Sequence, residues 1–262
     1  MISQRILSKT IATFLVALGS AGFAGTASAQ GTPSAKATFA YSSLVNVKAC
    51  NTADSFGCTG ATDSGWQTFL KQQIKLANQK DLFFNASLQC GIVTDTTVRS
   101  MGGSLDTAEA RGTIRARIKV TAPNGTVTYA QPSTGFEYTP LAANLNGGPA
   151  GVVFCDRIQT LKAKFSGLTC TAGVDGVVTC TNPEELQLIL KTLNANAFNF
   201  IAPNLGSGVH LIEVQARSSV ATSATGSNGS LGAASAFIGA GSVAVESVRM
   251  IKGNDGTTLS LD

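Results

Sequence analysis

From residue 82 to residue 92 every second position is apolar. Leu82, Phe84, Ala86, Leu88, Cys90 and Ile92 share one face of an extended chain, with Phe83, Asn85, Ser87 and Gln89 on the other. A helix would scatter that set around its axis, so the segment reads as a half-buried strand with Cys90 pointing inward. Residues 112–120 repeat the pattern, with Ile114, Ala116, Ile118 and Val120 opposed to Thr113, Arg115, Arg117 and Lys119. Asn124-Gly125 is hairpin chemistry, and Val127-Thr128-Tyr129 is its returning strand. Further strands are expected over 37–47, 68–76, 152–165, 197–201, 209–220, 242–251 and 257–261, the last entered by the turn Asn254-Asp255-Gly256. Within 152–165 the phase of Leu161, Ala163 and Phe165 fails at Arg157, which predicts a bulge or register change near Asp156.

One segment reads as a helix, from Pro183 to about Ala195. Asn182 is in position to cap it, Pro183 suits its first turn, and Glu185 completes a capping box. Leu186, Ile189, Leu190 and Leu193 form one apolar stripe. The Ala-, Ser-, Thr- and Gly-rich stretch 221–241 reads as a loop. About eight to ten strands, one helix and no βαβ alternation predict an all-β fold: an antiparallel β-sandwich, jelly-roll-like, with one short α-helix.

The N-terminus sets the compartment. Arg5 and Lys9 precede an apolar run from Ile11 to Leu18, and Ala27-Ser28-Ala29 is a small-residue cleavage site, so residues 1–29 are expected to be a signal peptide. The run falls short of the roughly 20 residues that a spanning helix needs. Residues 30–64 read as an N-terminal arm with a disulfided loop, and 65–262 as the sandwich domain. All six Cys follow the leader, an even number bound for an oxidising compartment, secreted or periplasmic. Cys50 with Cys58 would close a Gly/Ser/Thr/Asp-rich loop, and Cys170 with Cys180 would clip a hairpin tipped by Gly173-Val174-Asp175-Gly176. Cys90 and Cys155 remain, and they would bridge two strands whose Cα atoms come within about 7 Å. No Cys pair has zinc-ligand spacing, and the lone His210 is far from any Cys in sequence; no cofactor or metal is expected.

The segment 205–217, Leu-Gly-Ser-Gly-Val-His-Leu-Ile-Glu-Val-Gln-Ala-Arg, resembles the Gly turn and core strand found late in several extracellular jelly rolls. These are phage tail-fibre receptor-binding tips and secreted domains of the complement-globular-head and tumour-necrosis-factor type. The resemblance implies a jelly-roll fold and an extracellular setting, and it transfers no binding residue.

Little in the chain suits catalysis. Ser207, His210 and Asp156 supply triad residue types, but Ser207 sits in a Gly-flanked turn rather than a nucleophile elbow, and His210 shares a strand face with Ile212, Val214 and Ala216. The carboxylates Asp95, Asp106, Glu109, Asp156, Asp175, Glu213 and Glu246 are scattered, and no enzymatic activity is expected. The formal charge of +4, halved once Arg5 and Lys9 leave with the leader, and the lack of a basic run argue against nucleic acid. The strand face Arg115, Arg117, Lys119, extended by Lys162 and Lys164, would suit an anionic ligand; its plain alternative is a solvated sheet face. The expected function is a secreted, non-catalytic structural or adhesive module at or outside the cell surface, with self as partner. The alternative is a carbohydrate-binding module that meets an extracellular glycan through loops around Trp66 and the basic face; neither reading involves membrane insertion.

Overall fold

The computed structural model describes residues 36–43, 47–52, 58, 60–100, 105–132, 150–165, 170–176, 178–180, 184–226 and 229–249. The leader, the Asn182-Pro183 cap and the turn and strand expected at 254–261 lie outside them. The described residues hold twelve strands: β1 Ala37–Ser42, β2 Lys48–Cys50, β3 Gln67–Leu76, β4 Lys80–Ser100, β5 Leu105–Thr121, β6 Val127–Tyr129, β7 Val152–Lys164, β8 Cys170–Ala172, β9 Val178–Cys180, β10 Glu184–Leu205, β11 Gly208–Thr225 and β12 Leu231–Val248.

Two antiparallel sheets pack face to face, one ordered β1-β12-β4-β10 with β2 beside β12, the other β3-β11-β5-β6 with β7 beside β5. β8 and β9 form a separate hairpin. The pairings β1·β12, β3·β11, β4·β10 and β5·β7 nest inside one another like the rungs of one long hairpin. Rolling that hairpin up brings β12 against β4 and β11 against β5. This wrapped arrangement of eight strands is the jelly-roll order, and successive long strands such as β3, β4 and β5 alternate between the sheets.

Alternation along each strand builds the core between the sheets. Leu82, Phe84, Ala86, Leu88, Cys90 and Ile92 of β4 face Ile114, Ala116, Ile118 and Val120 of β5 and Ile212, Val214 and Ala216 of β11, all buried. The sheets approach closely at Gly112, where an added Cβ would lie 2.7 Å from Ile92 Cγ2. The Asn124-Gly125 turn joins β5 to β6, and Asn124 Oδ1 accepts from Thr126 N at 3.0 Å. The irregularity expected near Asp156 is present: Ile114 pairs with Cys155 and Arg115 with Val153, which leaves Phe154 as the extra residue of a bulge.

Two expectations are corrected. The segment expected as a helix, Pro183 to about Ala195, is from Glu184 onward part of β10, which also takes in the strand expected over 197–201 and pairs with β4 without interruption from Glu184 opposite Ser100 to Ala202 opposite Leu82. The apolar positions Leu186 and Leu190 fit both a helical stripe and, with Leu188 between them, a strand face. The long partner strand decides between them, because β4 needs its backbone groups paired. Most of the stretch 221–241 is likewise strand rather than loop: 221–225 complete β11 and 231–241 form the larger part of β12. Its small residues serve a central strand at a tight place, since a Cβ on Gly241 would lie 2.8 Å from the Phe69 ring and 2.9 Å from Leu88.

Two of the expected disulfides are formed: Cys50–Cys58, which spacing suggested, and Cys90–Cys155, the pair that remained, with Cα atoms 6.2 and 6.6 Å apart. Backbone pairing sets Cys170 directly opposite Cys180; their side chains are outside the described set. Cys90–Cys155 joins β4 of one sheet to β7 of the other and spans 65 residues. Replacing both of its Cys with Ala is expected to lower stability by about 4 kcal/mol, the chain-entropy value for a loop of that size. Urea unfolding of the double variant measures the loss, and an unchanged midpoint contradicts a structural role for the bridge.

Candidate functional site

Three surfaces position the residues of interest: the outer face of the β3-β11-β5 sheet, the outer face of the β1-β12-β4 sheet, and the side where edge strands β7 and β10 leave the sandwich open.

The outer face of β5 carries Arg115, Arg117 and Lys119, and it is neither a bare solvated face nor a row of idle cations. Arg115 is 3% and Arg117 4% exposed. Register explains why: Arg117 lies opposite Gln215 of β11 and Lys119 opposite Glu213. Arg117 Nε donates to Gln215 Oε1 at 2.8 Å, Gln215 Nε2 donates to Thr68 Oγ1 at 3.1 Å, and the guanidinium sits 4.1 Å from the Trp66 ring and 4.8 Å from Tyr129. Burial pulls the Arg117 pKa below its usual value, although a guanidinium remains charged in proteins. Arg115 Nη1 donates to Ala150 O at 3.2 Å. Lys119 Nζ is 2.9 Å from Glu213 Oε2, and Lys71 Nζ is 3.5 Å from Oε1. Arg217 makes a bidentate pair with Asp63, whose carboxyl is held below its ordinary pKa: burial opposes this, but Arg217 and the Gly65 N–H outweigh it. Lys162 and Lys164 do not join the row. They pair with Thr107 and Leu105, and the eight residue steps from Thr107 to Arg115 span about 26 Å of strand.

The triad residue types are not brought together. Asp156 is opposite Thr113, while Leu211, next to His210, is opposite Thr121, so about 26 Å of β5 separates them. The Asp156 carboxylate accepts from Arg111 Nη2 at 2.8 Å and Thr113 Oγ1 at 2.8 Å. His210 is fully buried with the core face, its Nδ1 3.2 Å from Gly208 O, whereas Ser207 is exposed in the turn before β11. Asp95 accepts from Gln187 Nε2 at 3.0 Å and Glu109 from Thr160 Oγ1 at 3.2 Å.

On the opposite outer face, β1 presents Phe39 and Tyr41, 61% and 75% exposed, with ring centroids 6.2 Å apart. Beside them lies a shallow depression of about 440 Å³, lined by Tyr41, Ser87, Gln89, Ala195, Ala240 and Ser242.

The open side is held by side chains rather than by a backbone ladder. Besides Cys90–Cys155, Gln159 of β7 reaches inward: Thr94 Oγ1 donates to its Oε1 at 2.6 Å, and its Nε2 donates to Thr96 Oγ1 at 2.6 Å and Leu188 O at 2.7 Å. Asn196 Nδ2 donates to Phe154 O at 2.9 Å. Cys90, Cys155, Phe154 and Asn196 line a cleft of about 560 Å³, walled by Arg157 and Ile158 from β7 and by Thr192 and Asn194 from β10. Beyond it, β10 is hydrogen-bonded to β4 on one side only from Glu184 to Phe200, among the described residues. That edge exposes Leu186 (45%), Leu188 (38%), Ile189 (49%) and Leu193 (59%). Assigning these leucines to a helix hid the edge; the signal for it was the alternation Leu186, Leu188, Leu190.

No family model, curated protein or solved structure matches the chain.

The Lys119 hydrogen bond lowers the Glu213 pKa first, burial opposes it, and the charges of Lys119 and Lys71 add to the lowering. A carboxyl depressed in the folded state contributes stability above its unfolded pKa, and that contribution disappears as pH falls through the folded value. Thermal melts of Glu213→Gln are therefore expected to fall below wild type at pH 7, with the gap narrowing as pH falls below the ordinary carboxylate range. A gap that does not narrow on acidification would assign the loss to packing instead.

Proposed function

We propose that this protein is a secreted, non-catalytic structural or adhesive module that works at or outside the cell surface. One observation carries the reading: a 22-residue strand, β10, lies at the edge of its sheet with a row of large apolar side chains uncovered. Natural sandwiches shorten, charge or cover such an edge unless something docks there, because unpaired N–H and C=O groups beside apolar side chains recruit another strand. The rest of the molecule fits a rigid scaffold, with long strands and two disulfides compatible with an extracellular or periplasmic location. Ser207, His210 and Asp156 stand apart, and the carboxylates of Asp95, Glu109, Asp156 and Glu213 are engaged by neighbouring side chains.

A second reading, carbohydrate binding, draws on Phe39 and Tyr41 beside the hydroxyl- and amide-lined depression, a surface that suits stacking on sugar rings. Trp66, the aromatic first expected in that role, stacks with Arg117 instead.

Light scattering on the secreted protein, alone and with a panel of soluble glycans, separates the two. A mass above the monomer that ignores glycans is expected. A monomer that changes on adding one glycan would transfer the function to the Phe39–Tyr41 face, and release of sugar products would overturn both readings.

A further inference from the structure

We propose that β10 is a self-pairing edge: two copies of this chain join antiparallel through residues 184–192, about a two-fold axis at Leu188. The inference rests on the structural reading above and names the partner that the reading leaves open.

The backbone is already set for it. At the far end of the same strand Ile201 donates to Gln131 O and accepts from Gln131 N, both at 2.7 Å, so Ile201 turns its peptide groups away from β4. The β4·β10 register has no irregularity between Glu184 and Ala202, so every odd residue of that stretch turns the same way. Glu185, Gln187, Ile189 and Lys191 therefore present their N–H and C=O groups to the open edge.

The side chains select the register. A two-fold antiparallel pairing must set odd residues against odd ones, or inward leucines would meet outward polar groups. With the axis at Leu188, Glu185 faces the partner's Lys191 and Lys191 faces the partner's Glu185, so the pairing is charge-complementary at both ends. On the other side of the strand Leu186 faces the partner's Leu190, and the two Leu188 side chains meet at the axis. Moving the axis to Ile189 sets Glu185 against the partner's Leu193 and Lys191 against the partner's Gln187, which leaves both charges unmatched. Lys191 has no ion-pair partner among the described residues; Glu185 gives one oxygen, Oε2, to Arg99 at 2.7 Å and keeps the other. The joined sheet would run β1-β12-β4-β10 and then through the same strands of the second copy in reverse, setting Leu186, Leu188 and Leu190 of the two copies side by side.

The test uses the full secreted chain. Wild type is expected to show a concentration-dependent doubling of mass by light scattering. Glu185→Lys or Lys191→Glu puts like charges face to face at two symmetric positions and is expected to weaken the dimer about tenfold. The double variant Glu185→Lys/Lys191→Glu restores it. Independently, Leu188→Cys places two thiols across the axis at a Cα separation of about 4.5 Å and is expected to give a disulfide-linked dimer on a non-reducing gel. Leu186→Cys, facing Leu190 of the partner subunit, is expected to give none. A wild-type oligomer indifferent to the charge variants, with no Leu188→Cys cross-link, overturns this pairing and leaves the structural reading standing. A wild-type monomer that responds to a glycan overturns both.

Discussion

Backbone hydrogen bonding along β4 organises the molecule. This strand runs through the middle of its sheet for 21 residues, and nearly every peptide group on it is committed to a neighbour, β10 on one side and β12 on the other. A strand of that length cannot be left half-paired in a dry interior, where each unmatched N–H or C=O costs about 1–3 kcal/mol. Its demand dictates what the flanking segments become. Residues with respectable helical credentials are drawn out into β10, and a run of alanines, serines and glycines that would otherwise stay loose is held as β12. Small side chains are then an advantage, because they let the second sheet settle closely over the first.

The two sheets solve the problem of their outer faces differently. On β5 and β11 long charged side chains are interlocked in register, Arg117 with Gln215 and Lys119 with Glu213, so that cations which look available in the sequence are already engaged. On β10 the corresponding work is not done. A polar cluster centred on Gln159 and a disulfide fasten the interior of the open side, yet the outermost strand keeps leucines in contact with water. Charge sits on that strand at only a few positions, among them Glu185 and Lys191, and the contrast between an interlocked face and an edge with exposed leucines underlies the docking proposed there.

How much of this was legible in the sequence depended on whether local pattern and tertiary demand agreed. They agreed over 82–92 and 112–120, where strict alternation fixed both the strand and its buried face, and at Asn124-Gly125, where turn chemistry is nearly self-sufficient. Inward-facing Cys90 and the phase break near Asp156 likewise led to the disulfide partner and the bulge. They disagreed over 184–195, where capping residues and a 3–4 apolar spacing mimic a helix, and over 221–241, where low hydrophobicity mimics a loop. In both places the deciding information is carried by a strand more than eighty residues away. The basic row was legible as a set of residues but not as a network, because Gln215, Glu213 and Trp66 become its neighbours only once β3, β5 and β11 are aligned.

The nested pairing also orders the steps of folding. Its innermost rung joins residues 116 and 152, its outermost 37 and 246, so the chain-closure entropy grows from the centre outward. Zipping from β5·β7 toward β1·β12 makes each closure short once the previous one is in place, whereas starting from the ends would close a loop of some two hundred residues at once. During synthesis β1 has no partner until β12 has left the ribosome. A chain built in this way keeps its outermost rung open until β12 is complete, so the sandwich closes last at β1.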